Sequence, residues 1–370
     1  MNLVKTSYNK EDVIVLLKDL SNDMKEMTTE EREIAIQNGI HYSEMLPQEK
    51  KPSKEYEFLY NKALNDKKYE IAKGIAIVSE IMMQNTKDNK LPVIVSLARA
   101  GIPVGILMKR YIKEKYNLDI PHYAISIIRD KGIDENAMEY IYNSCVKTNI
   151  SSVENFFFVD GWTGKGAIKN QLTEAVNQLK NIDTKWNTLR DDLYVLADPA
   201  NITPFRGTKE DFLLPSACLN STVSGLTSRT ILNKYININN GDFHGAVYFK
   251  KFETIDKSNE FIDIVSKEFK NILVSNVKQE TLVGDTGMTI VNNICSNFNI
   301  KDFKKVKPGI GETTRVLLRR IPWKVLINTS LEDQDIQHIL TLCKEKNIPF
   351  EKYKMGNYKV CGIIKELADA

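Results

Sequence analysis

Asp160 closes the apolar run Phe156-Phe157-Phe158-Val159, and Gly161-Trp162-Thr163-Gly164-Lys165-Gly166 follows before an amphipathic stretch opens at Ala167. The run predicts a buried strand and the stretch after it a helix. Glycines let a backbone approach a ligand closely. A helix start offers free N–H groups and the positive end of the helix dipole. The chemistry these residues point to is anion binding, phosphate above all, with Asp160 placed to hold hydroxyl groups or a metal-bound diphosphate. Two well-known phosphate loops do not fit. A P-loop needs Gly-x-x-x-x-Gly-Lys followed by Ser or Thr; here Gly166 follows Gly164-Lys165, and Val159 stands where the first glycine would be. The spacing of Gly161, Gly164 and Gly166 also misses the dinucleotide fingerprint.

Strand, acid, Thr-Gly turn and helix, in that order, resemble the phosphoribosyl-pyrophosphate loop of type I phosphoribosyltransferases, with Gly161 where that family has a second acid. The resemblance implies roles for the neighbouring segments. Ser96, Ala100 and Gly101 form a small loop whose amides bind pyrophosphate, with Arg99 as its cation. Arg129 and Lys131 follow the strand that starts at His122 and close over the diphosphate. Asp160 orients ribose hydroxyls, Thr163, Gly164, Lys165 and Gly166 hold the 5′-phosphate, and Trp162 stacks on a base or packs. Asp198 ends a further strand, Leu193 to Ala197, at the edge where open α/β sheets bind ligands. Mg²⁺ is the implied cofactor, although no residues stand out as its ligands.

These residues need a scaffold. From 91 to about 200 the pattern alternates strand and helix, which predicts a parallel sheet with right-handed crossovers. Residues 1–90 read as a helical extension, with apolar residues at three- and four-residue spacing from Glu30 to Asn38 and from Tyr56 to Met83. His41-Tyr42-Ser43 between them reads as an irregular bridge whose side chains pack or cap, with reach to a site as the alternative. A second domain spans 91–271 and a third 272–370. The Ser/Thr/Asn-rich stretch around Asn220 predicts a helix running to Asn233.

The third domain contains Gly309-Ile310-Gly311-Glu312-Thr313-Thr314-Arg315, a glycine turn opening a basic helix, then a strand at Trp323, a helix near Asp335 and a closing strand at Tyr358. This order resembles the Pelota C-terminal domain and kink-turn ribosomal proteins, which implies that Gly309, Gly311, Glu312, Arg315 and Arg319 contact structured RNA. The fold expectation is therefore α/β: a type I phosphoribosyltransferase-like parallel sheet with an N-terminal helical region, followed by a small Pelota-like α/β sandwich.

Composition bounds the function. The 370 residues carry a net charge of +3, which excludes a wholly basic nucleic-acid coat. There is no apolar run of membrane-spanning length, and no signal-peptide core at Met1 to Thr6. Five scattered cysteines without a C-x-x-C pair point to reduced thiols and a cytoplasmic setting.

Together the two halves resemble the predicted phosphoribosyltransferases of bacterial tellurium-resistance and stress operons. That resemblance implies a Mg²⁺-dependent glycosyltransferase acting on phosphoribosyl pyrophosphate or a related ribose phosphate, with RNA and a second copy of the chain as further partners. Two alternatives stand beside it. One is a cysteine peptidase, a label that relatives carry, using Cys218 and His244 with Asp242 nearby. The other is a non-catalytic ribose-phosphate sensor that binds RNA.

Overall fold

The computed structural model describes residues 2–365, and of Thr29 and Arg319 only the backbone. A six-stranded, wholly parallel sheet forms the centre of the first part of the chain. Its order across is Ile14–Val15, His122–Ile125, Val93–Leu97, Phe156–Trp162, Leu193–Ala197 and Arg206–Thr208. Helices cover both faces, so the central strands read as continuous apolar runs; every residue of Val93–Leu97 and Leu193–Ala197 is buried.

On one face lie α2 (Lys54–Gln84) and α3 (Gly101–Tyr116). The 31-residue α2 starts at Ser53, whose hydroxyl accepts from Tyr56 N–H, and buries Leu59, Tyr60, Ile71, Ile75 and Met82. The other face holds α5 (Ala167–Ile182), which buries Leu172, Val176 and Leu179. Two glycine contacts set how closely the layers approach. A Cβ on Gly101 would lie 2.2 Å from the Val159 carbonyl oxygen, so the start of α3 rests on the strand that ends in Asp160. A Cβ on Gly207 would lie 2.3 Å from the Gly74 carbonyl oxygen, so α2 crosses an edge strand backbone to backbone.

The expectation of an all-helical extension over residues 1–90 needs correcting. Helix α1 (Thr29–Gln37), capped by a Thr28–Glu31 box, and α2 are present, but Ile14–Val15 is an edge strand of the main sheet. A two-residue strand is too short to show alternation. The helix expected from Asn220 to Asn233 is also absent; only a 3₁₀ turn, Asn220–Val223, forms. Thr222 Oγ1 donates to Leu219 O, Ser224 Oγ to Asn220 O and Thr227 Oγ1 to Ser224 O. Short polar side chains bonded in this way compete with the helical ladder.

The C-terminal part is a four-stranded mixed sheet in the order Val306–Pro308, Val360–Ile364, Pro322–Ile327, Phe350–Lys352. Helices α8 (Gly287–Asn297), α9 (Ile310–Arg319) and α10 (Gln337–Glu345) complete it. No helix among the described residues is long and apolar enough to cross a membrane.

Candidate active site at the carboxyl edge of the sheet

The strand Phe156–Trp162 delivers Asp160 to the carboxyl edge of the sheet, where its side chain is 9 % exposed and accepts from Gly161 N–H at 2.7 Å. Burial pushes the carboxyl up to about 7, and the Gly161 bond offsets only part of that. Gly166 adopts φ of 90°, a conformation suited to glycine, and begins α5. Asp160, Trp162 and Gly164 to Gly166 line a cleft of about 620 Å³ that Lys304, Lys307 and Glu312 close from the C-terminal domain. Lys165 donates to Phe303 O at 2.8 Å, and burial, with Lys307 nearby, brings its ammonium down to about 8.

The other expected ligand residues divide. Arg129 reaches this cleft from the turn of a small hairpin, Ile127–Ile128 with Gly132–Ile133, and its N–H donates to Tyr42 Oη. Lys131 is exposed and outside the cleft lining. Arg99 lines a neighbouring pocket of about 160 Å³ with Glu49, Asn220 and Arg229, and donates to Thr227 O. Ser96 is fully buried beneath α3, with its Oγ 2.7 Å from His122 Nε2. His122 Nδ1 can only donate to the Asp12 carbonyl, so Nε2 is left to accept from the Ser96 hydroxyl. Burial brings this imidazole down to about 3, and the Ser–His pair is a packing element rather than a ligand loop. Ala100 and Gly101 press on the Phe156–Trp162 strand: a Cβ on Gly161 would sit 3.0 Å from Ala100 O. Their small size serves that contact. Asp198 is fully buried and saturated by Thr163 Oγ1, Ile202 N–H, Thr203 N–H and Arg206. It holds a turn and has no lone pair aimed at a ligand.

The expected RNA contacts are redirected. Gly309 has φ of 93° and opens α9, but the helix start is already occupied by a carboxyl group: Asp211 accepts from Ile310 N–H and Lys359 N–H, each at 2.9 Å. Burial pushes Asp211 up to about 7 despite these bonds. A Cβ on Gly311 would touch Ala217. Arg315 donates to Glu312 and to Ala217 O, and its guanidinium lies 5.9 Å from the Trp162 ring centroid. The start of α9 thus docks on the first domain. Arg319 lies outside the side chains described.

Cys218 and His244 are not joined. Cys218 ends α6 (Pro215–Cys218), is 3 % exposed and points its Sγ toward Leu214 O at 3.6 Å. The thiol stands at the end of a one-turn helix, not at a helix start where the dipole would favour its thiolate. His244 accepts nothing from a thiol at Nδ1, which meets Ser126 Oγ at 2.9 Å, and its backbone N–H binds the Asp134 carboxylate. Burial brings this imidazole down to about 4. Asp242 pairs with Lys18.

Sequence reasoning missed Arg229, Glu49 and Asp211. Each lies in irregular backbone far in sequence from the residues it meets, and an isolated acid or arginine in a loop gives no spacing signal. Among the described residues no group of three or more His, Cys, Asp or Glu side chains gathers as a metal site.

Residues 6–266 match the family described as tellurite-like stress resistance cysteine protease StiP, and residues 285–366 match the PELOTA RNA binding domain. The chain is also 31 % identical over 376 residues to a protein of Acinetobacter baylyi named cysteine protease StiP, covering 98 % of this chain and 94 % of that one. These matches overturn the glycosyltransferase expectation. Both the family and the relative carry the name of a cysteine protease, so the reading as a phosphoribosyltransferase using phosphoribosyl pyrophosphate is corrected. The loop that suggested it is real as a strand-turn-helix unit, but such a turn is shared by many chemistries. A family match over most of its length and a full-length relative place this chain in the StiP family of tellurite-like stress resistance cysteine proteases, with a Pelota-type RNA-binding domain at its C-terminal end.

Proposed function

We propose that the chain is a cysteine peptidase of a stress-resistance system with Cys218 as its nucleophile. The observation that carries this reading is the likeness, over 98 % of the chain, to a relative named as a cysteine protease. Two cysteines, Cys145 and Cys218, fall within the family match at 6–266. Cys145 lies in a π-turn under the sheet, 3.8 Å from Tyr123 Oη, and burial pushes its thiol up. Cys218 belongs to the carboxyl edge instead: Ala217 of the same short helix and Leu214 just before it line a crevice with Trp162, Thr163 and Glu312.

In the proposed reaction the Cys218 thiol gives its proton to a base and the sulfur attacks the peptide carbonyl. The amine leaves with a proton, and water hydrolyses the thioester to regenerate the thiol. At 3 % exposure the sulfur is covered, so α6 must turn outward to admit a peptide. One helical turn has few bonds to break, and the irregular backbone after it, Leu219 to Arg229, gives slack. The C-terminal domain contributes an RNA contact to the same molecule.

The test is cleavage of a mixed peptide library followed by mass spectrometry. Wild type and Cys145→Ser are expected to produce the same cleavages, and Cys218→Ser none. Retained cleavage by Cys218→Ser would remove Cys218 from the reaction.

A further inference from the structure

The second pocket at the carboxyl edge has a composition the peptidase reading does not use. Arg229 and Arg99 line it, and Glu49 is the one acid among its lining residues. Glu49 is already engaged by the N–H and hydroxyl of Ser221. Two further arginines stand close by. Arg32 and Arg315 act on Arg229 strongly enough, after burial, to lower its pKa. Arg32 Nε is buried with no hydrogen-bond partner. Arg99 and Arg229 line the pocket itself, whereas Arg32 and Arg315 act on it as nearby charge, the Arg315 fork being held by Glu312 and the Ala217 carbonyl. Like charges crowded into a partly desolvated pocket repel one another, and an anion entering it relieves that repulsion. Arginine forks suit the paired oxygens of a phosphate.

The class of ligand follows from where the fourth arginine comes from. Arg315 belongs to α9 of the domain that matches an RNA-binding family. The start of α9 cannot take a phosphate, because Asp211 fills it. From Arg315 the surface continues past Trp162 into the larger cleft, where Lys165, Lys304 and Lys307 add cations from both domains. We propose that RNA binds along the seam between the two domains, with one phosphodiester seated between Arg99 and Arg229 and the strand continuing past Arg315 toward Lys307. RNA held there lies over the segment that follows Cys218, rather than on the outer face of the C-terminal domain.

The experiment is fluorescence anisotropy of the full chain with a labelled 20-nucleotide oligouridine and a labelled stem-loop of equal length, at several salt concentrations. Arg229→Ala and Arg32→Ala should each weaken binding about five-fold or more and shallow the salt slope by about one unit per cation removed. Arg229→Glu should weaken it further, which a purely structural arginine would not require. Lys324→Ala with Lys352→Ala, on the adjacent strands Pro322–Ile327 and Phe350–Lys352 that make up the outer half of the C-terminal sheet, should stay within about two-fold of wild type. The proposal is overturned if wild type binds neither RNA, if the arginine variants bind like wild type, or if the outer-strand pair loses as much as they do. Full displacement of RNA by uridine monophosphate at matched phosphate concentration would assign the pocket to a small phosphate ester. Equal displacement by an oligoglutamate would assign it to an acidic peptide. Either result would also overturn the RNA assignment.

Discussion

Asp160 is the residue at which the site's electrostatics can be read most directly. Its folded pKa of about 7 lies well above the ordinary aspartate value, because burial disfavours the carboxylate. Its contribution to stability is therefore complete below the unfolded pKa of about 4. It is lost as pH rises from there through the folded value, at roughly 1.4 kcal/mol per pH unit. Asn copies the protonated acid and can still accept from Gly161. Asp160→Asn should leave the melting temperature nearly unchanged at pH 4 and raise it at pH 8 by the equivalent of a few kcal/mol. Parallel melts at the two pH values check this; equal effects at both would show that Asp160 is charged in the fold across that range. At this scale the sequence showed where Asp160, Trp162 and Gly166 stand, in one strand-turn-helix unit. It misled for Ser96 and Asp198, whose polar atoms are consumed by His122 and by Thr163, Ile202, Thr203 and Arg206. Residue type alone does not reveal whether a buried hydroxyl or acid is already saturated.

Elements were predicted best where apolar spacing was long. Tyr56 to Met83 falls inside α2, and the strands ending near Leu97, Asp160 and Ala197 stand side by side as parallel neighbours. Prediction failed where tertiary context decides. The strand Ile14–Val15 exists only because His122–Ile125 offers it a partner. The segment from Asn220 to Arg229 stays irregular because its own hydroxyls bond its backbone. The crossing of α2 over Arg206–Thr208 yields a test at this scale. Gly207→Ala would put a methyl 2.3 Å from the Gly74 carbonyl oxygen, against backbone that cannot step aside cheaply. It should cost about 1–3 kcal/mol, the usual penalty for overpacking, seen as a lower denaturation midpoint at unchanged m-value. Gly164→Ala has nothing within 4 Å of its new methyl and should be close to neutral in the same titration.

At the scale of the whole molecule, the two matched regions share an interface. Asp211 ties the first domain to Ile310 and Lys359 of the second, Tyr358 Oη donates to Gly164 O, and Lys67 pairs with Asp335. Between them residues 273–286 are mostly exposed, with Leu273 95 % and Val283 82 % accessible. Asp211→Ala leaves two N–H groups unpaired, at about 1–3 kcal/mol each, and should loosen the docking. Trypsin should then cut near Lys278 several-fold faster than in wild type while the first domain stays protease-resistant; an unchanged rate would place the docking energy elsewhere. This interface was hidden in the sequence, because a helix start that looks like an RNA contact looks the same when a carboxylate from another domain fills it.

The central claim is that Cys218 becomes a covalent nucleophile, and trapping tests it most directly. Wild type, Cys145→Ser and Cys218→Ser would be treated with a peptidyl electrophile that alkylates a catalytic thiol, then digested and mapped by mass spectrometry. The predicted result is a single modification on Cys218 in wild type and Cys145→Ser, blocked by prior incubation with cleavable peptide, and none in Cys218→Ser. Labelling confined to another cysteine, or labelling of Cys218 only after denaturation, would contradict the account.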